Sequence, residues 1–121
     1  MIWTWRNFSP QEFESPDEAE SGYKMKPEFM ERLQKARTIA GIAFIITSGY
    51  RSESHNEKVG GSKTSSHLKG VAADISTHSS GQRLKIVSAL LQAGFTRIGI
   101  GQNFIHVDSD KSKPDSMFDY Y

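Results

Sequence analysis

Cysteine is absent from the 121 residues. That excludes a disulfide framework and any thiolate metal site, and leaves histidine and carboxylate side chains as the good metal ligands. An excess of one charge is lacking too: 15 Lys and Arg against 14 Asp and Glu give a formal charge of +1. Both signs are interspersed, so there is no basic stripe for nucleic acid and no acidic tail for a basic partner. Long hydrophobic runs are also missing. No segment reaches membrane-spanning length, and the opening MIWTWRNFSPQEF has no apolar run fit for a signal peptide. The expectation is a soluble monomer made without a Sec signal, binding neither nucleic acid nor membrane. The length suits one domain over residues 1–121, and no repeat, low-complexity tract or linker divides it.

What is present is punctuated clearly enough to place elements. FSPQEFESPDEAESGY, from Phe8 to Tyr23, predicts one short helical turn begun by Ser9 and Pro10, then a loop. PEFMERLQKARTIAG places Phe29, Leu33, Ala36 and Ala40 on one stripe, with Pro27 in the first turn and Gly41 as the stop, which is an amphipathic helix. AFIITSGY, from Ala43 to Tyr50, reads as a buried strand ending in a turn. Next come a short helix over Ser52 to Val59 and a loop at Gly60 and Gly61. VAADIS alternates Val71, Ala73 and Ile75 against Ala72, Asp74 and Ser76, a strand that aims Asp74 away from the core. Ser79 and Gln82 form a capping-box signal before a second long helix, whose stripe is read as Leu84, Val87 and Leu91 with Gly94 as its end. TRIGIG and NFIHVDSD are two short strands about a turn at Gly101 to Asn103, the last strand putting Phe104, His106 and Asp108 on one side. Helices and strands mixed without strict alternation indicate an α+β domain, a small antiparallel sheet packed with helices.

The stretch SSHLKGVAADI, from Ser65 to Ile75, is the odd one, because a carboxylate inside a strand that wants burial needs a partner. A catalytic zinc takes three ligands from His, Asp or Glu and leaves one position open. His67, Asp74 and His106 fit that count. From residue types alone the alternative stands, that these are surface or hydrogen-bonded side chains. His55 and His78 lie in polar segments where solvated positions are the simpler account for His78 and an open question for His55. A structural zinc would need a fourth protein ligand, which no residue clearly supplies, and the carboxylates show no facing pair of the glycosidase kind.

The order SGYRS, HN, VGG, SSHLKG, AAD and FIHVD resembles the zinc peptidases related to D-alanyl-D-alanine carboxypeptidases, in the style of the phage endolysin branch, within the superfamily that also holds hedgehog domains. The likeness runs from about Phe8 to the FIHVD strand. It implies a hedgehog/D,D-peptidase-like fold, zinc bound by His67, Asp74 and His106, Ser65 as the serine of the Ser-x-His element, and Arg51 contacting the peptide carbonyl or terminal carboxylate. It implies a peptidoglycan peptide as substrate, cut by a carboxypeptidase or endopeptidase beside a D-amino acid. An enzyme made in the host cytoplasm and acting on the cell wall or in the periplasm, an endolysin or virion-associated lysin, fits that picture. One departure stands out: where many members carry an acid three residues before the last zinc histidine, this chain has Asn103, which cannot act as a general base. Asp108, two residues beyond His106, is the substitute candidate, as proton acceptor or as partner to the histidine, while Glu53, Glu57 and His55 are weaker ones. His55 is also a candidate substrate contact. Asn103 further favours an alternative, a zinc-containing module that binds peptidoglycan or a protein without cutting it.

Overall fold

The computed structural model describes residues 2–120. Its centre is a five-stranded sheet: β1 (Ile46–Ser48), β2 (Ala72–Ser76), β3 (Arg97–Ile100), β4 (Phe104–Asp108) and β5 (Ser116–Asp119), in the order β1-β2-β4-β3-β5. Three neighbouring pairs are antiparallel and β3 with β5 is parallel. The helices are α1 (Pro27–Ala40), α2 (Glu53–Lys58) and α3 (Ser80–Gln92), with 3-10 turns at Pro10–Phe13, Ser21–Lys24 and Ser66–Lys69. The α+β expectation is met.

One sheet face is apolar because alternation along the strands puts Ala73, Ile75, Ile98, Ile105 and Val107 together. Against it lie Phe29, Leu33 and Ala36 of α1 and Ile86, Ala89 and Leu90 of α3. α1 begins at Pro27, whose missing N–H costs nothing in the first turn, and stops at Gly41, whose φ of 67° is the left-handed cap glycine adopts freely.

Some sequence-based expectations change. The buried stripe of α3 is Ile86, Ala89 and Leu90 with Ala93 beyond its end, not Leu84, Val87 and Leu91. Leu84 and Leu91 are 70% and 49% exposed, and only Val87 packs, partly, against the core. Two apolar stripes compete on this helix, and the one spaced i, i+3, i+4, i+7 faces the sheet. The capping box there is also shared differently. Ser79 Oγ accepts from Gln82 N at 3.1 Å, but Gln82 Oε1 accepts from His78 N at 2.6 Å, one residue before the cap. The strand expected over residues 43–50 is only three residues long and half-exposed, because it lies at the sheet edge, and Phe44 rather than Ile45 is buried. Two 3-10 turns, Pro10–Phe13 and Ser21–Lys24, stand where one turn and a loop were expected over residues 8–23. FIHVD is not the last strand: β5 comes after it.

Pairing fixes where polar side chains emerge. Ser48 faces Asp74, Asp74 faces His106, His106 faces Gly99 and Gly99 faces Phe118, one continuous row across all five strands. The next row holds Ala72, Asp108, Arg97 and Ser116. This is the face opposite the helices.

Candidate metal centre

His67 comes to that face from the 3-10 turn Ser66–Lys69. Ser65 caps the turn, its Oγ accepting from His67 N at 3.3 Å, and Gly70 ends it at φ 72°. Two bonds tie the turn to the chain beyond β1: Arg51 N donates to His67 O at 3.1 Å, and His67 Nδ1 donates to Gly49 O at 2.7 Å. The second bond fixes the tautomer. With Nδ1 carrying the proton, Nε2 offers its lone pair towards Asp74 Oδ1, 3.4 Å away.

His106 is oriented the same way by another acceptor. Its Nε2 donates to Asp108 Oδ2 at 2.7 Å, leaving Nδ1 on Asp74 Oδ1 at 2.9 Å. Donor atoms of His67, Asp74 and His106 lie within 4.8 Å of one another, and both imidazoles are buried. Two imidazole nitrogens and one carboxylate, each histidine anchored through its outer nitrogen, are the donor set and outer support that a zinc-type ion takes.

Without an ion, His106 Nδ1 takes up a proton more readily and donates it to Asp74. Burial alone would raise the pKa of Asp74, but hydrogen bonds from His106 and His67 outweigh it and hold the carboxyl well below its usual range. For His106 burial works downward, yet its bonds to Asp108 and Asp74 win and raise it. Asp108 is likewise pushed up by burial and pulled further down by His106, Asp110 N–H and Arg97.

Around the cluster runs a groove of about 410 Å³. Arg51 lines it on the β1 side, its Nε on Ser48 Oγ at 3.1 Å, Nη1 on Asn56 Oδ1 at 3.3 Å and Nη2 3.6 Å from Asp74 Oδ2. Ser65 lines it too. Asp108 sits in its wall with both oxygens engaged, Oδ1 accepting from Arg97 Nε at 2.8 Å and Asp110 N at 3.1 Å. That is the geometry of a partner to His106. A larger hollow of about 840 Å³, bounded by Trp3, Trp5, Tyr23 and Tyr50, is lined by no acid or histidine.

Four candidates fall outside the groove lining. Asn103 is exposed in the β3–β4 turn and lines an adjoining hollow with Thr47, Asp74, Ser76 and His78. An odd offset of three from His106 does not keep a residue on the same side of a strand. His55, on α2, is half-buried near Asp17, whose pKa it helps lower, and does not line the groove. Glu53 and Glu57, on the same helix, are exposed.

Sequence reasoning missed the far wall: Arg97, Lys113, Phe118 and Tyr120. Its signal was the pair of glycines in RIGIG, since glycine inside a strand marks a close approach. Burial first, then the charges of Asp74 and Asp108, push the Tyr120 phenol up to about 12.

A family model described as Peptidase M15 matches residues 6–108. No curated protein matches the chain.

Proposed function

The chain belongs to the peptidase M15 family, and from that premise we propose that it is a zinc-dependent peptidase hydrolysing peptidoglycan peptide bonds beside D-amino acids. The observation that carries the reading is the pair of outer anchors, Gly49 O and Asp108 Oδ2, which turn His67 Nε2 and His106 Nδ1 onto Asp74. His67, Asp74 and His106 would hold the ion, which when bound supplies Lewis acidity and a water activated near neutral pH.

The chain's own groups supply the rest. Arg51, held by Ser48 and Asn56, presents a fixed guanidinium to a terminal carboxylate or to the carbonyl being attacked. Because Asp108 keeps His106 in one tautomer, the ligand set stays oriented as charge builds up on the substrate. Tyr120, neutral at any working pH, can donate but not abstract a proton. The setting we propose is a phage endolysin or virion-associated lysin, a monomer acting on the cell wall. Support for that setting is the motif resemblance.

A second reading has one observation in its favour. Both carboxylates lining the groove, Asp74 and Asp108, are already paired, and Asn103 is an amide outside it. A zinc-containing module that binds peptidoglycan or a protein without cutting it would have that property. The separating experiment incubates metal-analysed protein with peptidoglycan and defined muropeptides, with and without chelator, and reads the products by mass spectrometry. New amino and carboxyl ends that vanish with chelator and return with zinc establish the peptidase and name the bond. Bound zinc with no cleavage establishes the module.

A further inference from the structure

The family match ends at residue 108, and Lys113, Phe118 and Tyr120 beyond it build much of the groove wall opposite Arg51. β5 pairs with β3 so that Gly99 lies beside Phe118. A Cβ on Gly99 would stand 2.6 Å from both the Phe118 and Tyr120 rings, so the missing side chain is what lets the rings lie over the strand. Gly101 does the same for Phe104, whose ring would overlap a Cβ placed there. The three rings form one cluster, Phe104 to Tyr120 at 5.2 Å and Phe118 to Tyr120 at 5.6 Å between centroids. The cluster abuts the metal centre: His106 is 5.9 Å from Phe118 and 6.1 Å from Tyr120. Arg97 flanks it, its guanidinium 5.2 Å over the Phe118 ring.

We propose that Phe118 and Tyr120 form a specificity shelf that takes the apolar side chain of the substrate residue across the scissile bond from the residue Arg51 holds. Placement carries the argument. Arg51 contacts residues of β1 and β2, the metal-type side chains of the sheet stand on β2 and β4, and the shelf stands on β5 and the residue after it, beyond β3. A peptide whose scissile carbonyl lies at the metal centre therefore has Arg51 on one side and the rings on the other. Ring faces give apolar area with little ordering cost. Phe118 and Tyr120 meet the metal-type side chains at the His106 ring and supply no ligand atom to them, so they set selectivity and not metal loading.

The inference rests on the peptidase reading, and the test separates the two. Zinc-loaded wild type, Phe118→Ala, Tyr120→Ala, Tyr120→Phe and Gly99→Ala are compared on a muropeptide-like series with glycine, D-alanine or D-leucine on the acyl side of the scissile bond. Zinc content and melting temperature are read for each. The wild type should favour D-alanine over glycine by roughly 10-fold in kcat/KM. Phe118→Ala and Tyr120→Ala should bring that ratio near one, mainly through KM, with zinc content unchanged, whereas Tyr120→Phe keeps it. Gly99→Ala, whose new Cβ collides with both rings and displaces them, should lower turnover of D-alanine and D-leucine peptides more than of glycine. An unaltered alanine-to-glycine ratio in the folded, zinc-loaded alanine variants overturns the shelf. If the wild type binds zinc and cleaves nothing, the peptidase reading fails instead. The same ratio taken from peptide dissociation constants then decides the shelf by the same criterion.

Discussion

Asp108→Asn removes one charge, keeps the shape, and bears on three bonds at once: His106 Nε2 at 2.7 Å, Arg97 Nε at 2.8 Å and Asp110 N at 3.1 Å. The amide oxygen can still accept from one side, but its NH2 cannot accept from His106, so the imidazole loses the anchor that reserves Nδ1 for a metal. Removing such an outer partner typically costs 10–100-fold in metal affinity, or about 1.4–2.7 kcal/mol. A second loss is independent of metal. Arg97, with a side chain 12% exposed, keeps its bonds to the amide oxygen and to Pro114 O and its place over Phe118, but loses its counter-charge. A partly buried cation left short of its counter-charge costs about 2 kcal/mol, less than a fully buried one because water reaches it. For a chain of this size that is roughly 6–10 °C in melting temperature. The assay is competition for zinc against a chromophoric chelator, beside thermal melts of the metal-free protein. A folded Asp108→Asn protein with wild-type zinc affinity would refute the role assigned to Asp108.

Other expectations can be checked on the same preparations. In metal-free protein the raised pKa of His106, due to Asp108 and Asp74 acting against burial, gives stability that is full below about pH 6.5 and fades as pH climbs through the raised value. Zinc needs the neutral ring, so melts from pH 6 to 9 should show the metal-free protein weakening while the increment from zinc grows; parallel profiles would contradict this. Gly70→Ala should cost at least about 2 kcal/mol, because φ is 72° and the new Cβ would collide with Lys24 O; a wild-type urea midpoint would count against it. Phe29→Ala, in the fully buried core, should cost about 3–5 kcal/mol in the same titration while chelator competition on the folded fraction stays unchanged.

The parts legible in the sequence are those fixed by local rules. Pro27 and Gly41 bound α1 because one lacks a donor where none is needed and the other accepts the left-handed cap. The parity of a strand put Asp74, His106 and Asp108 on the polar face, and pairing then brought His106 against Asp74. What local rules could not decide was competition between partners. α3 carries two apolar stripes, and the one that won was selected by the sheet beneath it. β5 was invisible because SMFDY is short, lies just past Pro114 and has a single neighbouring strand, a parallel one set by contacts far along the chain. Asn103 came from the family pattern and not from strand parity; it lies in the turn before β4 and borders Asp74 from the adjoining hollow.

The row Ser48, Asp74, His106, Gly99, Phe118 has a bearing on how this protein reaches its fold. If β2 slid by one residue against β4, Asp74 would point into the layer between sheet and helices while an alanine or isoleucine took its place outside. The same slip in β4 would bury His106 and Asp108 among Phe29, Leu33 and Ile86. An unpaired carboxylate in that layer is costly enough to expel the misaligned sheet. The polar face thus proofreads strand alignment, and only molecules that have paired correctly bring the two imidazoles and the carboxylate together. Zinc uptake during refolding would then count correctly registered molecules one by one.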